Sequence, residues 1–120
     1  MIVTSIEWID KSIKEAEVTV SDGKFSVICF SHPFNKTVNS TLSEPIYCLD
    51  IEGLMITDNE IFSANRTDVY GYSICGKLID KDNKIVLLGD IRLCLDNAHI
   101  PGDILSGSFV EFSVSRLSIY

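Results

Sequence analysis

The sequence predicts an all-β fold of about six or seven strands, a small antiparallel barrel of OB-like type or a strongly curved sandwich. Three observations predict it. Ala16-Glu17-Val18-Thr19-Val20 alternates apolar with polar, Ser21-Asp22-Gly23-Lys24 reverses the chain, and Phe25-Ser26-Val27-Ile28-Cys29-Phe30 runs back. Alternation puts every second side chain on one face, and Asp-Gly between two such runs is a strong hairpin signal. A second long hairpin is readable as Val69–Ile79 and Lys84–Leu95 across Asp80-Lys81-Asp82-Asn83. Phe109–Tyr120 also alternates, with Val110, Phe112 and Val114 inward and the phase slipping at Ser115-Arg116 to Leu117 and Ile119. A β-bulge produces such a slip and bends the strand that carries it.

The elements follow in order. Ile2–Ile9 reads as a strand with Ile2, Ile6 and Trp8 on one face, and a turn at Asp10-Lys11-Ser12 leads to a second strand over Ile13–Val20. Ile6, Ile9, Ile13 and Ala16 also fit a helical stripe after a Ser5 cap; the β-branched content of this stretch favours strands. Phe25–Ser31, apolar on both faces, reads as a central strand, and Asn35–Glu44 as a mobile polar loop behind Pro33. Ile46–Ile51 is the fourth strand, Leu54–Asp68 is irregular with a short edge strand at Ile61-Phe62, and the two closing segments are those above. Cys29/Cys75 and Cys48/Cys94 share a 46-residue offset. The offset reads as coincidence among similar strands, with a duplicated half-barrel as the other option.

A chain of 120 residues, 46% hydrophobic and 22% charged, is long enough to bury a core unaided and reads as a single domain over 1–120. The net charge is −7, concentrated in residues 1–60, which hold ten acids and four lysines. The three arginines, Arg66, Arg92 and Arg116, all lie in the second half. Such a field repels phosphate backbones, so bulk nucleic-acid binding is disfavoured, and it attracts basic partners. The opening Met1-Ile2-Val3-Thr4-Ser5-Ile6-Glu7 has no basic region followed by an apolar run, and no segment approaches the length of a membrane span; a cytoplasmic location is expected. The glycosylation sequons at Asn35, Asn39 and Asn65 then have no use. Cys29, Cys48, Cys75 and Cys94 sit in apolar runs with no CxxC spacing, which predicts small buried hydrophobes.

No cofactor or metal is expected, nor a catalytic set. His32 and His99 are the only histidines, no G-x-S-x-G elbow is present, and one strand would put Cys29 and His32 on opposite faces. Asp80-Lys81-Asp82-Asn83-Lys84 begins like a calcium loop but lacks its glycine and closing glutamate, so it reads as a turn. Gly102–Gly107 lacks the Gly-Lys-Ser/Thr of a phosphate loop, and Asp50 with Glu52 reads as a solvated strand face. The aromatics Phe30, Phe34, Tyr47, Tyr70 and Tyr72 could stack ligands on an open face; Phe34, behind a proline at the mouth of a polar loop, is the first candidate and Tyr72 the second.

Two function classes are carried forward. The first is a non-enzymatic module that works by protein–protein contact with a basic partner, an immunity-type inhibitor being one form. The second is a ligand- or single-strand-binding barrel that uses Tyr70, Tyr72, Phe34 and His32 with Arg66 and Arg92 as a local cationic patch. An acidic, loop-flanked apolar surface favours the first, and a basic groove lined by Tyr70 and Tyr72 the second. Exposed strand edges also leave a homodimer open.

Overall fold

Branched and aromatic residues at every second position fold into eleven strands and no helix in the computed structural model, which describes residues 1–120. The strands are β1 (Ile2–Asp10), β2 (Glu15–Ser21), β3 (Ser26–Ser31), β4 (Ile46–Leu49), β5 (Glu52–Ile56), β6 (Ser63–Arg66), β7 (Tyr72–Asp80), β8 (Ile85–Leu88), β9 (Ile91–Cys94), β10 (Phe109–Val114) and β11 (Arg116–Ile119). All belong to one mixed sheet of order β1-β2-β3-β11-β4-β9-β8-β7-β10-β5, with β6 paired to β7 beside that path. The path is open, with β1 and β5 at its ends. Twenty-five buried residues form a continuous apolar cluster, fed by alternate positions such as Ala16, Val18 and Val20 of β2 and Val110, Phe112 and Val114 of β10. No helix is long and apolar enough to cross a membrane.

The all-β class and both hairpins stand as read from the sequence, and residues 5–16 form strands and a turn rather than a helix. The break after Val114 falls where the phase slips, with Ser115 exposed between β10 and β11. Several expectations are corrected. The sheet is not wholly antiparallel, because β11 runs parallel to β3 and β9 parallel to β4. The strands number eleven because Lys84–Leu95 is cut at Gly89-Asp90, Phe109–Tyr120 is cut at Ser115, and Glu52–Ile56 and Ser63–Arg66 form strands of their own on β10 and β7. The edge strand expected at Ile61-Phe62 lies instead at Ser63–Arg66, and Ile61 is exposed. On β1 Ile6 and Trp8 share a face as read, but Ile2 does not join them: a bulge between Val3 and Ser5 resets the phase, so that Val3 is buried and Ile2 exposed. The Asn35–Glu44 segment is tied down, since Asn39 N donates to Val3 O, Ser40 O accepts from Val3 N, and Leu42 N donates to Met1 O. Leu42 itself is buried.

A repeat that the cysteine spacing does not reveal organises the two long hairpins. Ile9-Asp10-Lys11-Ser12-Ile13-Lys14 and Ile79-Asp80-Lys81-Asp82-Asn83-Lys84 share four identities at an offset of 70 residues. Their geometry repeats with the sequence. Asp10 faces Glu15 and Trp8 faces Ala16, just as Asp80 faces Ile85 and Leu78 faces Val86, with a register shift at the same place in each. Lys14 and Lys84 both have φ of 58°, and Asp10 and Asp80 accept from the backbone N–H of Ser12 and Asn83 respectively. Each turn lysine also accepts, through its carbonyl, from the segment after the third strand: Phe34 N to Lys14 O at 2.8 Å and Leu95 N to Lys84 O at 2.9 Å.

The two halves are joined at Asp22. Its carboxylate accepts from Lys24 N (2.9 Å) and Phe25 N (2.8 Å) within the β2–β3 turn, and from Asp90 N (2.8 Å) in the β8–β9 turn. Gly89 is required there. Its φ is +61°, and a Cβ would lie 2.5 Å from Asp22 Oδ2 and 2.8 Å from Phe25 Cδ2. Burial pushes the Asp22 carboxyl up, but the N–H donors of Phe25, Asp90 and Lys24 outweigh it and hold the group below its ordinary value. A carboxyl lowered by folding contributes stability above its unfolded value, about pH 4, and loses it as pH falls through the lowered folded value. The urea midpoint of the wild type is therefore expected to drop more steeply on acidification below about pH 4 than that of Asp22→Asn. Parallel profiles would contradict the tie.

Candidate functional site

The exposed apolar residues gather unevenly, and the β1–β2 hairpin carries a large share. Trp8 is 37% exposed, Ile9 47% and Ile13 46%. The hairpin projects Glu7, Asp10, Glu15 and Glu17 beside them, and Glu7 stands directly across from Glu17 in the ladder. Like charges at facing positions destabilise a strand pair, so a cation brought to this face would relieve a strain the hairpin carries alone. Glu17 Oε1 also accepts from the Tyr70 hydroxyl at 2.8 Å, and that bond to a carboxylate raises the phenol's pKa. Asp10 is shifted the other way, its carboxyl lowered first by the Ser12 hydroxyl and then by the Ser12 N–H.

Strand alternation assigns the faces. Ile6 and Trp8 stand opposite the buried Val18 and Ala16 and so lie on the core side, while Ser5 and Glu7 stand opposite Thr19 and Glu17 on the outer side. The site is a ribbon with an acidic outer face and an incompletely covered apolar inner one. Such a surface can hold a partner through burial of Trp8 and Ile9 and through cations set against the carboxylates.

The residues singled out from sequence fare differently. Phe34 is not at an open mouth: it is 3% exposed, packed in the core beneath its bond to Lys14. Tyr72, also 3% exposed, is not on an open face, and its hydroxyl accepts from Ile28 N at 2.9 Å. Tyr70 is half-buried and engaged by Glu17. His32 is exposed at a cis His32-Pro33 bond. Arg66 lies on β6, its guanidinium donating to Val69 O, and Arg92 lies on β9, across from Leu87. Arg66 faces Tyr72 in the β6–β7 ladder, whereas β9 pairs with neither of those strands, and Tyr72 is buried in the core rather than lining an open face. Phe30 lies under Arg116, whose guanidinium carbon is 4.5 Å from the ring centroid, and Tyr47 packs edge-on against Tyr120 at 5.3 Å.

A cleft of 720 Å³ opens on the other side of the Asp22 tie, with Phe25, Phe62 and Leu87 for walls and Lys24, Glu60 and Lys77 at its rim. Its lining offers carboxylates and ammonium groups and no hydroxyl, thiol or imidazole. All four cysteines are free and buried, and burial pushes each thiol's pKa up. Native protein under reducing conditions should therefore react slowly with an aromatic disulfide at mildly alkaline pH, and all four thiols should react at once after unfolding. Fast labelling of two or more in the native state would mean that the strand phases are wrong.

Sequence reasoning missed the β1–β2 ribbon as a surface because alternation groups Trp8 with Ile6 on one face without showing that this face is left partly uncovered. The signal that finds it is the repeated Ile-Asp-Lys-x-x-Lys tip, which marks Trp8 and Leu78 as equivalent and invites comparison of their surroundings. No family model, curated protein or solved structure matches the chain.

Proposed function

We propose that this protein is a non-enzymatic binding module that acts by contact with a basic protein, with the β1–β2 ribbon as its contact surface. The observation that carries the reading is the juxtaposition of exposed Trp8, Ile9 and Ile13 with Glu7, Asp10, Glu15 and Glu17 on one hairpin. A ribbon with apolar anchors on one face and charge of one sign on the other suits a partner segment of the opposite sign that lies along it, with steering by the long-range field and affinity from burial of the apolar side. The net charge of −7 adds to that steering. Inhibition of a basic toxin or enzyme, in the manner of an immunity protein, is a natural use of such a surface. A cytoplasmic setting belongs to the same proposal, and four free buried thiols suit a reducing compartment.

We also propose that the strands form an OB-like barrel. In its support, each half curls a three-stranded meander, β1-β2-β3 or β7-β8-β9, against a fourth strand parallel to the third. The alternative use of such a barrel, stacking a ligand or single strand on Tyr70 and Tyr72, has less support, because Tyr72 is in the core.

The test is capture of partners from the native host on the wild type and on the Glu7→Lys/Glu15→Lys/Glu17→Lys variant, followed by carbodiimide cross-linking of carboxylates to lysines. A basic protein linked through these glutamates and lost from the variant supports the reading. Recovery of nucleic acid, or links that map elsewhere, would overturn it.

A further inference from the structure

The repeated hairpins differ in what lies along their outer edge. In the second, Leu78 N donates to Ser108 O at 2.9 Å, Gly107 N donates to Leu78 O, and β10 continues the pairing from Phe109↔Lys77 to Val114↔Tyr72. The connection after β9 makes this cover possible: it runs from Leu95, anchored on Lys84, to Gly107, and buries Ile100 and Ile104 on the way. Lys81 Nζ closes the tip by donating to Pro101 O and Gly102 O. Leu78 is 1% exposed as a result.

In the first hairpin the covering segment attaches elsewhere. It leaves Phe34, anchored on Lys14, and reaches the outer edge of β1 at Val3, where Asn39 N and Ser40 O make the two bonds that Gly107 and Ser108 make at Leu78. Val3 is five positions before Trp8, the equivalent of Leu78. Since Leu78 turns both its N–H and its C=O outward and Trp8 has the same register, Trp8 turns both outward as well, and Ile6 does so one pleat earlier. No backbone group bonds to that edge. Trp8 is 37% exposed where Leu78 is 1% exposed.

We infer that the outer edge of β1 from Ile6 to Asp10 is a strand-addition site, filled by an extended basic segment of the partner in the way that Gly107, Ser108 and β10 fill the edge of β7. This rests on the function proposed above and specifies how the partner binds. An added strand continues both faces of the ribbon. On the outer face its side chains fall beside Glu7 and call for lysine or arginine; on the inner face they fall beside Ile6 and Trp8 and call for an aliphatic residue. The fitting segment alternates cation with aliphatic. A second copy of this chain is the poorer occupant, because it brings another −7, and the two-fold register centred on Glu7 sets that carboxylate against its copy.

The experiment uses the full chain and a nine-residue peptide alternating lysine with valine, with two further versions N-methylated on all lysine amides or on all valine amides. Only alternate amides of a strand face a given edge, so one methylated version should keep its affinity and the other should lose at least tenfold. Saturation with the parent peptide should slow exchange of the Ile6 and Trp8 amides at least tenfold. Equal affinity of all three peptides would overturn strand addition and leave the contact surface standing. So would failure of all three while the glutamate reversals still abolish partner capture. Slow exchange at Ile6 and Trp8 in a dimer before any peptide is added would make a second copy the occupant, and loss of both peptide binding and glutamate dependence would remove the proposed function as well.

Discussion

Gly76→Ala is expected to destabilise the fold by about 3 kcal/mol and lower the melting temperature by about 10 °C. Gly76 sits where one edge of β7 passes from β6, paired at Ser63↔Cys75, to β8, paired at Lys77↔Leu87. A Cβ at this position would lie 2.4 Å from Leu87 O and 2.7 Å from Val86 Cγ1. The carbonyl belongs to the backbone of β8, so it cannot swing aside as the end of a long side chain can. Relief requires β8 to shift bodily, with Val86 and Leu88 drawn out of positions where they are fully buried. The same argument makes alanine at the exposed Gly102, which meets nothing within 4 Å, nearly neutral. Comparing the two variants by urea unfolding separates crowding from any general dislike of losing glycine; equal stabilities would contradict the close approach of β8 to β7.

Reversing Glu7, Glu15 and Glu17 to lysine is expected to weaken capture of a basic partner about a hundredfold, since three solvent-accessible carboxylates at about 1 kcal/mol each make about 3 kcal/mol. The variant should still fold. Glu7 is exposed, Glu15 and Glu17 are half-buried, and the change exchanges one facing pair of like charges for another. Wild-type binding should weaken with added salt far more than the variant's residual binding does, because rim charges act through a screened field. An unchanged affinity with an intact fold would move the contact away from this ribbon.

Much of the fold was legible in the residues, and the failures have physical reasons. The bend between β10 and β11 could be read because a phase slip at Ser115 is a local event written into consecutive side chains. The burial of Ala16, Val18 and Val20 could be read for the same reason. Phe34 was misplaced because its position is set from a distance, by a bond to Lys14 and by the core above it, while its immediate neighbours are polar. Tyr72 likewise owes its burial to Ile28, 44 residues away in the chain. The candidate site was the least legible part. Alternation says which residues share a face with Trp8, but whether a further strand covers that face depends on where the next loop lands. It lands at Val3 in one half and at Leu78 in the other, and nothing in the two hairpin sequences alone distinguishes those outcomes.

The first hairpin leaves open a backbone edge that its repeat closes. Amide hydrogen exchange of the free, monomeric protein reads this directly. Trp8 N–H should exchange at close to the rate of an unstructured amide, and Leu78 N–H, its equivalent, should be slower by at least about a thousandfold. Comparable protection of the two amides would mean that β1 is already covered, and neither the proposed contact surface nor the strand-addition site would survive that result.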